Sequence, residues 1–247
     1  MPFITRSTVL CVRKAKLYFK VFLARFGIKS VESRLVKGIV LADKNLGYKD
    51  IPKTACTSIK LALYQLVSNK KYNDDENEGL HIHQYMQKKV NSLNDCQFRF
   101  IVIRDPIKRF LSAYSNRVIH HKELSREYVQ QEVPNLINEI PCFDPSLDEF
   151  IKHFSKYCKV PSIQHHFRPV SQFINYHSLN YFTHVYPIEK LGEFEEKLSE
   201  IYSSDVKFPR GQTGGPKIKT SELTSSQLEI IREIYFDDYV LLRNYYQ

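Results

Sequence analysis

The first thing the chain lacks is a cysteine pattern. Its five cysteines (Cys11, Cys56, Cys96, Cys142 and Cys158) are odd in number, scattered, and never form a CxxC pair. That argues against a disulfide framework or a zinc site and fits a reducing compartment. No apolar run reaches the ~18 residues of a membrane span, so no transmembrane helix is expected. Arg13, Lys14, Lys16, Lys20 and Arg25 break any signal-peptide core. Internal repeats and low-complexity tracts are also missing. Acidic residues are absent from positions 1–29, which hold Arg6, Arg13, Lys14, Lys16, Lys20, Arg25 and Lys29. Most of the net charge of +9 therefore belongs to the N-terminus. The high basicity does not by itself argue for nucleic acid, and no nucleic-acid partner is expected.

What is present suits one large α/β domain: 247 residues, 43% hydrophobic and 13% aromatic. Residues 8–26 have the pattern of an amphipathic helix, with Cys11, Ala15, Tyr18, Phe22 and Phe26 spaced by three or four and the cations clustered on another face. A helix packed on the domain with a solvated basic face is the preferred reading. Attachment to an anionic membrane surface or polymer, and a transit peptide, are the alternatives.

The chain is organised around Leu46–Leu66. The pattern predicts a strand at Gly47–Ile51, a tight loop at Pro52–Thr57, and a helix opening near Thr57 and Ser58 that carries Ile59, Leu63 and Leu66 to the core. Such an opening aims backbone N–H groups and the positive end of a helix dipole at one spot, which suits phosphate or sulfate. Lys53 adds a cation; Thr54, Thr57 and Ser58 add hydroxyls. No glycine lies between Gly47 and Gly79, so this is not the glycine-rich Walker loop. ATP with magnesium is correspondingly disfavoured.

Phe98–Ile103 reads as a buried strand, with Asp105 placed to cap a helix that has Pro106 at its first position. Arg104 then sits at the carboxyl end of a strand, where open α/β sheets bind ligands, and Ser112 lies two turns into the helix. An arginine there can grip a phosphate or make a helix-cap salt bridge. Leu80–Gln84 reads as extended, which would point His81 and His83 the same way. No third histidine or carboxylate at suitable spacing supports a metal, and none is expected. Ser146 and Glu149 suggest a capped helix to about Tyr157, Tyr181–Tyr186 a strand, Leu191–Tyr202 a helix, and Thr224 with Gln227 the cap of a last helix to about Arg243. Residues 119–145 read as irregular. Residues 210–219 form a basic, glycine-containing loop able to close over an anion or to act as a linker.

Ile51–Lys60 resembles the 5′-phosphosulfate loop of sulfotransferases, closest to the carbohydrate sulfotransferases and their bacterial relatives. Val102–Tyr114, with Arg104 and Ser112 eight residues apart, resembles the same family's 3′-phosphate strand and helix. His165–Pro169 and Ile234–Tyr239 resemble further family segments. The resemblance runs from about residue 46 to the end. It implies an α/β fold with a parallel sheet flanked by helices, related to P-loop nucleotide kinases. Residues 30–247 are then one domain behind the basic helix at 1–29. It further implies the donor 3′-phosphoadenosine 5′-phosphosulfate (PAPS), leaving as adenosine 3′,5′-bisphosphate (PAP), held by Lys53, Thr54, Ala55, Cys56, Thr57, Ser58, Arg104 and Ser112. Lys217, in the late basic loop, is a weaker donor-binding candidate. Lys53 would stabilise the leaving oxygen. In glycan 2-O-sulfotransferases a histidine pair lies between the two donor motifs and supplies the base, which makes His81 or His83 the expected proton acceptor. The expected acceptor is a hydroxyl of a glycan or glycolipid, and the expected location is the cytoplasm, with peripheral membrane contact through the N-terminus as an option. A kinase-like phosphoryl transferase and a non-catalytic binder of anionic glycans or membranes are the competing readings.

Overall fold

The computed structural model describes residues 35–209 and 214–246. The expected N-terminal helix, and Arg210 and Gly211 of the late loop, lie outside the described residues. Five strands form one sheet: β1 (Lys37–Leu41), β2 (Leu46–Lys49), β3 (Val90–Ser92), β4 (Phe98–Ile103) and β5 (His184–Pro187), in the order β3–β1–β2–β4–β5. β2, β4 and β5 are parallel neighbours, whereas β1 runs antiparallel to both β2 and β3. The sheet is thus mixed, which corrects the expectation of a parallel one. β1 and β2 are joined by a turn at Ala42–Asn45, too short for the crossover that a parallel pair needs.

Helices cover both faces. Ile39, Leu46, Tyr48, Phe100, Val102 and Tyr186 pack with Ile59 and Leu63 of α1 (Cys56–Ser68) and Phe194 and Leu198 of a helix at Leu191–Tyr202. Ile101 and Ile103 face the other way, toward Val170, Ile174, Phe182 and Leu242. β4 is buried on both faces, which is why it reads as a continuous apolar run. A third cluster, outside the sheet, surrounds Phe110, Phe150, Phe167 and Tyr235.

The other helices that bear on the site are α2 (Ile82–Gln87), α3 (Pro106–Ala113), α4 (Arg126–Glu132), α5 (Leu147–Lys152), α6 (Phe154–Tyr157), α7 (Pro161–Phe167), α8 (Val170–Phe173), α9 (Leu191–Tyr202), α10 (Ser225–Ile234) and α11 (Phe236–Leu242). Three expectations change here. Leu80–Gln84 is not extended, because α2 begins inside it. The region 119–145 contains α4. The last helix breaks at Tyr235, whose hydroxyl is drawn to the Phe167 carbonyl. Asp105, by contrast, caps α3 as expected, its side chain accepting from Lys108 N with Pro106 at the first position. No helix among the described residues is long and apolar enough to cross a membrane.

Candidate active site

β2 and β4 pair in parallel, with Lys49 opposite Ile101, so the loop after β2 and Arg104 after β4 emerge side by side. The loop closes without glycine. Lys53 (φ +69°) and Ala55 (φ +61°) both take the left-handed conformation, which costs non-glycine residues about 1–2 kcal/mol each. Surrounding bonds hold it there. The fully buried Thr54 donates from Oγ1 to the Ile51 carbonyl at 2.9 Å. Arg104 donates from Nη1 to the Lys53 carbonyl at 3.1 Å. Backbone strain of this kind concentrates where a ligand must be met by backbone. α1 then opens at Cys56 with Ala55 as its N-cap and no acidic residue in its first turn, leaving N–H groups for an anion.

The loop is strongly cationic. Burial, followed by the neighbouring charges of Arg117 and Arg104, pulls the Lys53 ammonium down to about 8, with Cys56 and Glu123 opposing. Arg117 comes from a π-helical turn, Tyr114–His120, that continues α3. Its guanidinium donates to Glu123 at 2.9 Å. Such turns often mark functional sites. Arg117 is a site residue that sequence reasoning did not select, because an inserted π turn changes where a side chain points without changing the residue pattern. The late loop docks on the same turn. Ser115 donates to the Pro216 carbonyl, and a Cβ at Gly215 (φ +88°) would lie 2.3 Å from the Ser115 carbonyl oxygen. Glycine is required there. Lys217 itself is exposed and makes no hydrogen bond or ion pair with another described residue.

The histidine pair is at the start of α2. His81 is the N-cap: its Nδ1 accepts from His83 N while Gln84 returns a bond to His81 N. The two rings nevertheless stack, with centroids 5.1 Å apart. His81 is exposed. His83 is turned inward, with Nε2 2.9 Å from Thr57 Oγ1 and Nδ1 2.9 Å from Lys60 Nζ. Lys60 in turn meets Asp50 at 2.6 Å. Burial, then Lys60, then His81 push His83 down to about 4, so its ring is neutral at physiological pH. The α2 helix is seated by aromatic contacts: Tyr85 packs edge-on against Tyr64 and Tyr72 at 5.3 and 5.5 Å.

α7 supplies His165 and His166. Burial, then Arg117 and His165, carry His166 down to about 2, and its Nδ1 is buried without a partner among the described residues. The structure therefore brings Lys53, Thr57, His83 and Arg104 together, with Arg117 and His166 beside them. Ser58 is half-buried in the first turn of α1. Ser112 is half-buried on α3, and its side chain makes no hydrogen bond to a described residue.

A family model described as "Sulfotransferase family" matches residues 38–246, which is most of the chain. No curated protein and no solved structure matches it.

Proposed function

The chain belongs to the sulfotransferase family, and on that premise we propose that it moves a sulfuryl group from PAPS to a hydroxyl of a glycan or glycolipid. One observation carries the reading: Lys53, in a glycine-free anion loop, has its carbonyl held by Arg104 on one side, while His83 bonds to Thr57 on the other. The chain's own groups fit such a donor. Thr57 Oγ1 accepts from His83, which leaves the Thr57 hydroxyl hydrogen to donate into the loop. Arg104 spends one N–H on the Lys53 carbonyl, and its other N–H groups suit a second phosphate. Ser112, whose hydroxyl makes no hydrogen bond among the described residues, suits the same group. The strand–loop–helix supports kinship with P-loop nucleotide kinases.

PAPS supplies an activated sulfuryl group on a phosphate–sulfate anhydride. Lys53 stabilises the negative charge that grows on the bridging oxygen as that S–O bond breaks. The first-turn N–H groups of α1 and the Thr57 hydroxyl hold the neighbouring oxygens. The acceptor oxygen forms the new O–S bond and loses its proton to the histidine pair. His83 is the member beside the loop, and being neutral it is in the state a base requires. The His165–His166 side of the cleft, where His166 Nδ1 has no partner among the described residues, suits recognition of acceptor hydroxyls.

Two measurements test this reading. PAP should raise the melting temperature far more than AMP, because only PAP carries the 3′-phosphate assigned to Arg104 and Ser112. Labelled PAPS should then transfer label to members of a glycan and glycolipid panel. Equal shifts by PAP and AMP would sink the donor assignment, and a kinase-like reading predicts a shift by ATP with magnesium instead.

A further inference from the structure

Behind the anion loop three elements contribute one hydrogen-bonded chain. Lys60 projects from α1 and its side chain is only 6% exposed. It bridges Asp50, just past the end of β2, at 2.6 Å and His83 Nδ1, on α2, at 2.9 Å. A lysine ammonium can only donate. Nδ1 is therefore the acceptor, and the single proton of the neutral ring sits on Nε2, facing Thr57 Oγ1 at 2.9 Å. The chain has a direction: from Lys60 to His83 to Thr57, and from the Thr57 hydroxyl into the loop.

This arrangement has a consequence for any base role of His83. With Nδ1 engaged by Lys60 and Nε2 carrying the proton, neither nitrogen presents a lone pair to an acceptor. We propose that Lys60 is a positioning residue that locks the tautomer of His83, and that it must withdraw onto Asp50 before His83 Nε2 can take the acceptor's proton. The inference rests on the sulfuryl-transfer reading for its purpose, though not for its geometry. The protons balance. Lys60 keeps its own and gives up only the bond to Nδ1. The ring proton passes from Nε2 to Nδ1 by exchange with water. The freed Nε2 lone pair then receives the acceptor proton as the O–S bond forms and the bond to the leaving oxygen breaks. Asp50 suits the holding role: burial would raise its carboxyl, but Lys60, and behind it Lys49, outweigh this and keep it ionised.

Other charged or titratable groups face His83. His81 stacks on it from the same helix, Arg117 approaches from the π turn, and His166 approaches from α7. Of the charged groups among the described residues, only Lys60 bonds to the ring, so its removal should change the tautomer where loss of a distant charge would not.

The test is a ¹⁵N–¹H NMR titration of the imidazoles in the full chain, without donor or acceptor. In the unmodified protein the His83 proton should reside on Nε2 and the ring should titrate near 4. In Lys60→Met the tautomer preference should be lost and the midpoint should rise by about one pH unit or more, as loss of an adjacent cation allows. Lys60→Arg, which keeps a charged donor, should restore both. Asp50→Asn leaves the ammonium to His83 alone and should not raise the midpoint. If Lys60→Met does not fold, the double variant Asp50→Asn/Lys60→Met removes both partners together and should still show a rise, smaller because the Asp50 charge itself favours the protonated ring. An unchanged midpoint in the variants lacking Lys60, no restoration by arginine, or an equal rise in Asp50→Asn would overturn the proposal. The acid limb of turnover should move with the NMR midpoint. Because the titration needs no substrate, its failure is separate from failure of PAP to stabilise the protein.

Discussion

Arg109–Asp238 and Lys60–Asp50 are both aspartate–cation pairs withdrawn from water, yet they are built to opposite ends. Arg109 and Asp238 are almost wholly buried, 1% and 0% exposed, and their charged atoms stand 3.9 Å apart. Neither depends on the other alone. Arg109 donates to the His166 and Arg168 carbonyls and lies over the Tyr235 ring at 5.2 Å. Asp238 accepts from Val170 N and Ser171 N. Nearly every partner is backbone, which cannot titrate or turn away. This pair ties α3, α8 and α11 and the segment after α7 into a fixed frame. Lys60–Asp50 is shorter, at 2.6 Å, and the Asp50 side chain is 29% exposed. The other partner of Lys60 is an ionisable ring that can change which nitrogen carries its proton. A pair held mainly by backbone is scaffold, and a pair that shares its cation with a histidine can be redistributed.

Breaking the first pair should have the largest effect. Arg109→Met strands a buried carboxylate, and loss of one member of a buried pair costs about 3–5 kcal/mol. Urea unfolding should show that loss, with donor binding falling only as the protein unfolds. Next comes the loop. Lys53→Ala should cut turnover by about 10²-fold or more, as removal of a preorganised donor typically does. It should barely change the unfolding midpoint, because it also removes a buried charge. A turnover loss below twofold would place the leaving-group role elsewhere.

The third effect is set by pH. Lys53, drawn down to about 8, carries its charge below that pH and loses it above. PAP affinity should therefore weaken as pH rises through about 8. Calorimetry on Lys53→Met should give a flat profile over the same range. A slope that survives the substitution would mean another group is titrating. The smallest effect is expected at Ala55. Ala55→Gly relieves a left-handed penalty of about 1–2 kcal/mol but adds glycine's cost of about 0.5–1 kcal/mol in the unfolded chain. The net change should be a gain of about 0–1.5 kcal/mol. Ala55→Val, which stiffens the same position, should destabilise instead.

Much of this was legible because it is local. β4, the Asp105 cap and the first turn of α3 follow from adjacent residues, and α9 has the bounds its periodicity predicts. The reciprocal cap at Thr224 and Gln227 is present as well. The Ser146 cap is present, yet the helix it starts breaks at His153 into α5 and α6. Lys53, Thr57 and Arg104 stand out by residue type and placement, whereas His83 stands out, together with His81, only through the family resemblance. Other features were not legible. The reversed direction of β1 depends on which strands lie beside it. The helix under the histidine pair is six residues long, too short to be fixed by propensity, and Tyr64 and Tyr72 from neighbouring segments seat it through its own Tyr85. The π turn that delivers Arg117 leaves no mark in the pattern.

Residue order alone places a cationic, glycine-free loop after one strand, an arginine after a second, and two histidines between them. The tertiary structure decided which histidine turns inward and what holds it. The reason is that an imidazole's proton is placed by whatever faces its two nitrogens. Here those partners, Thr57 and Lys60, come from a helix that only folding brings against α2.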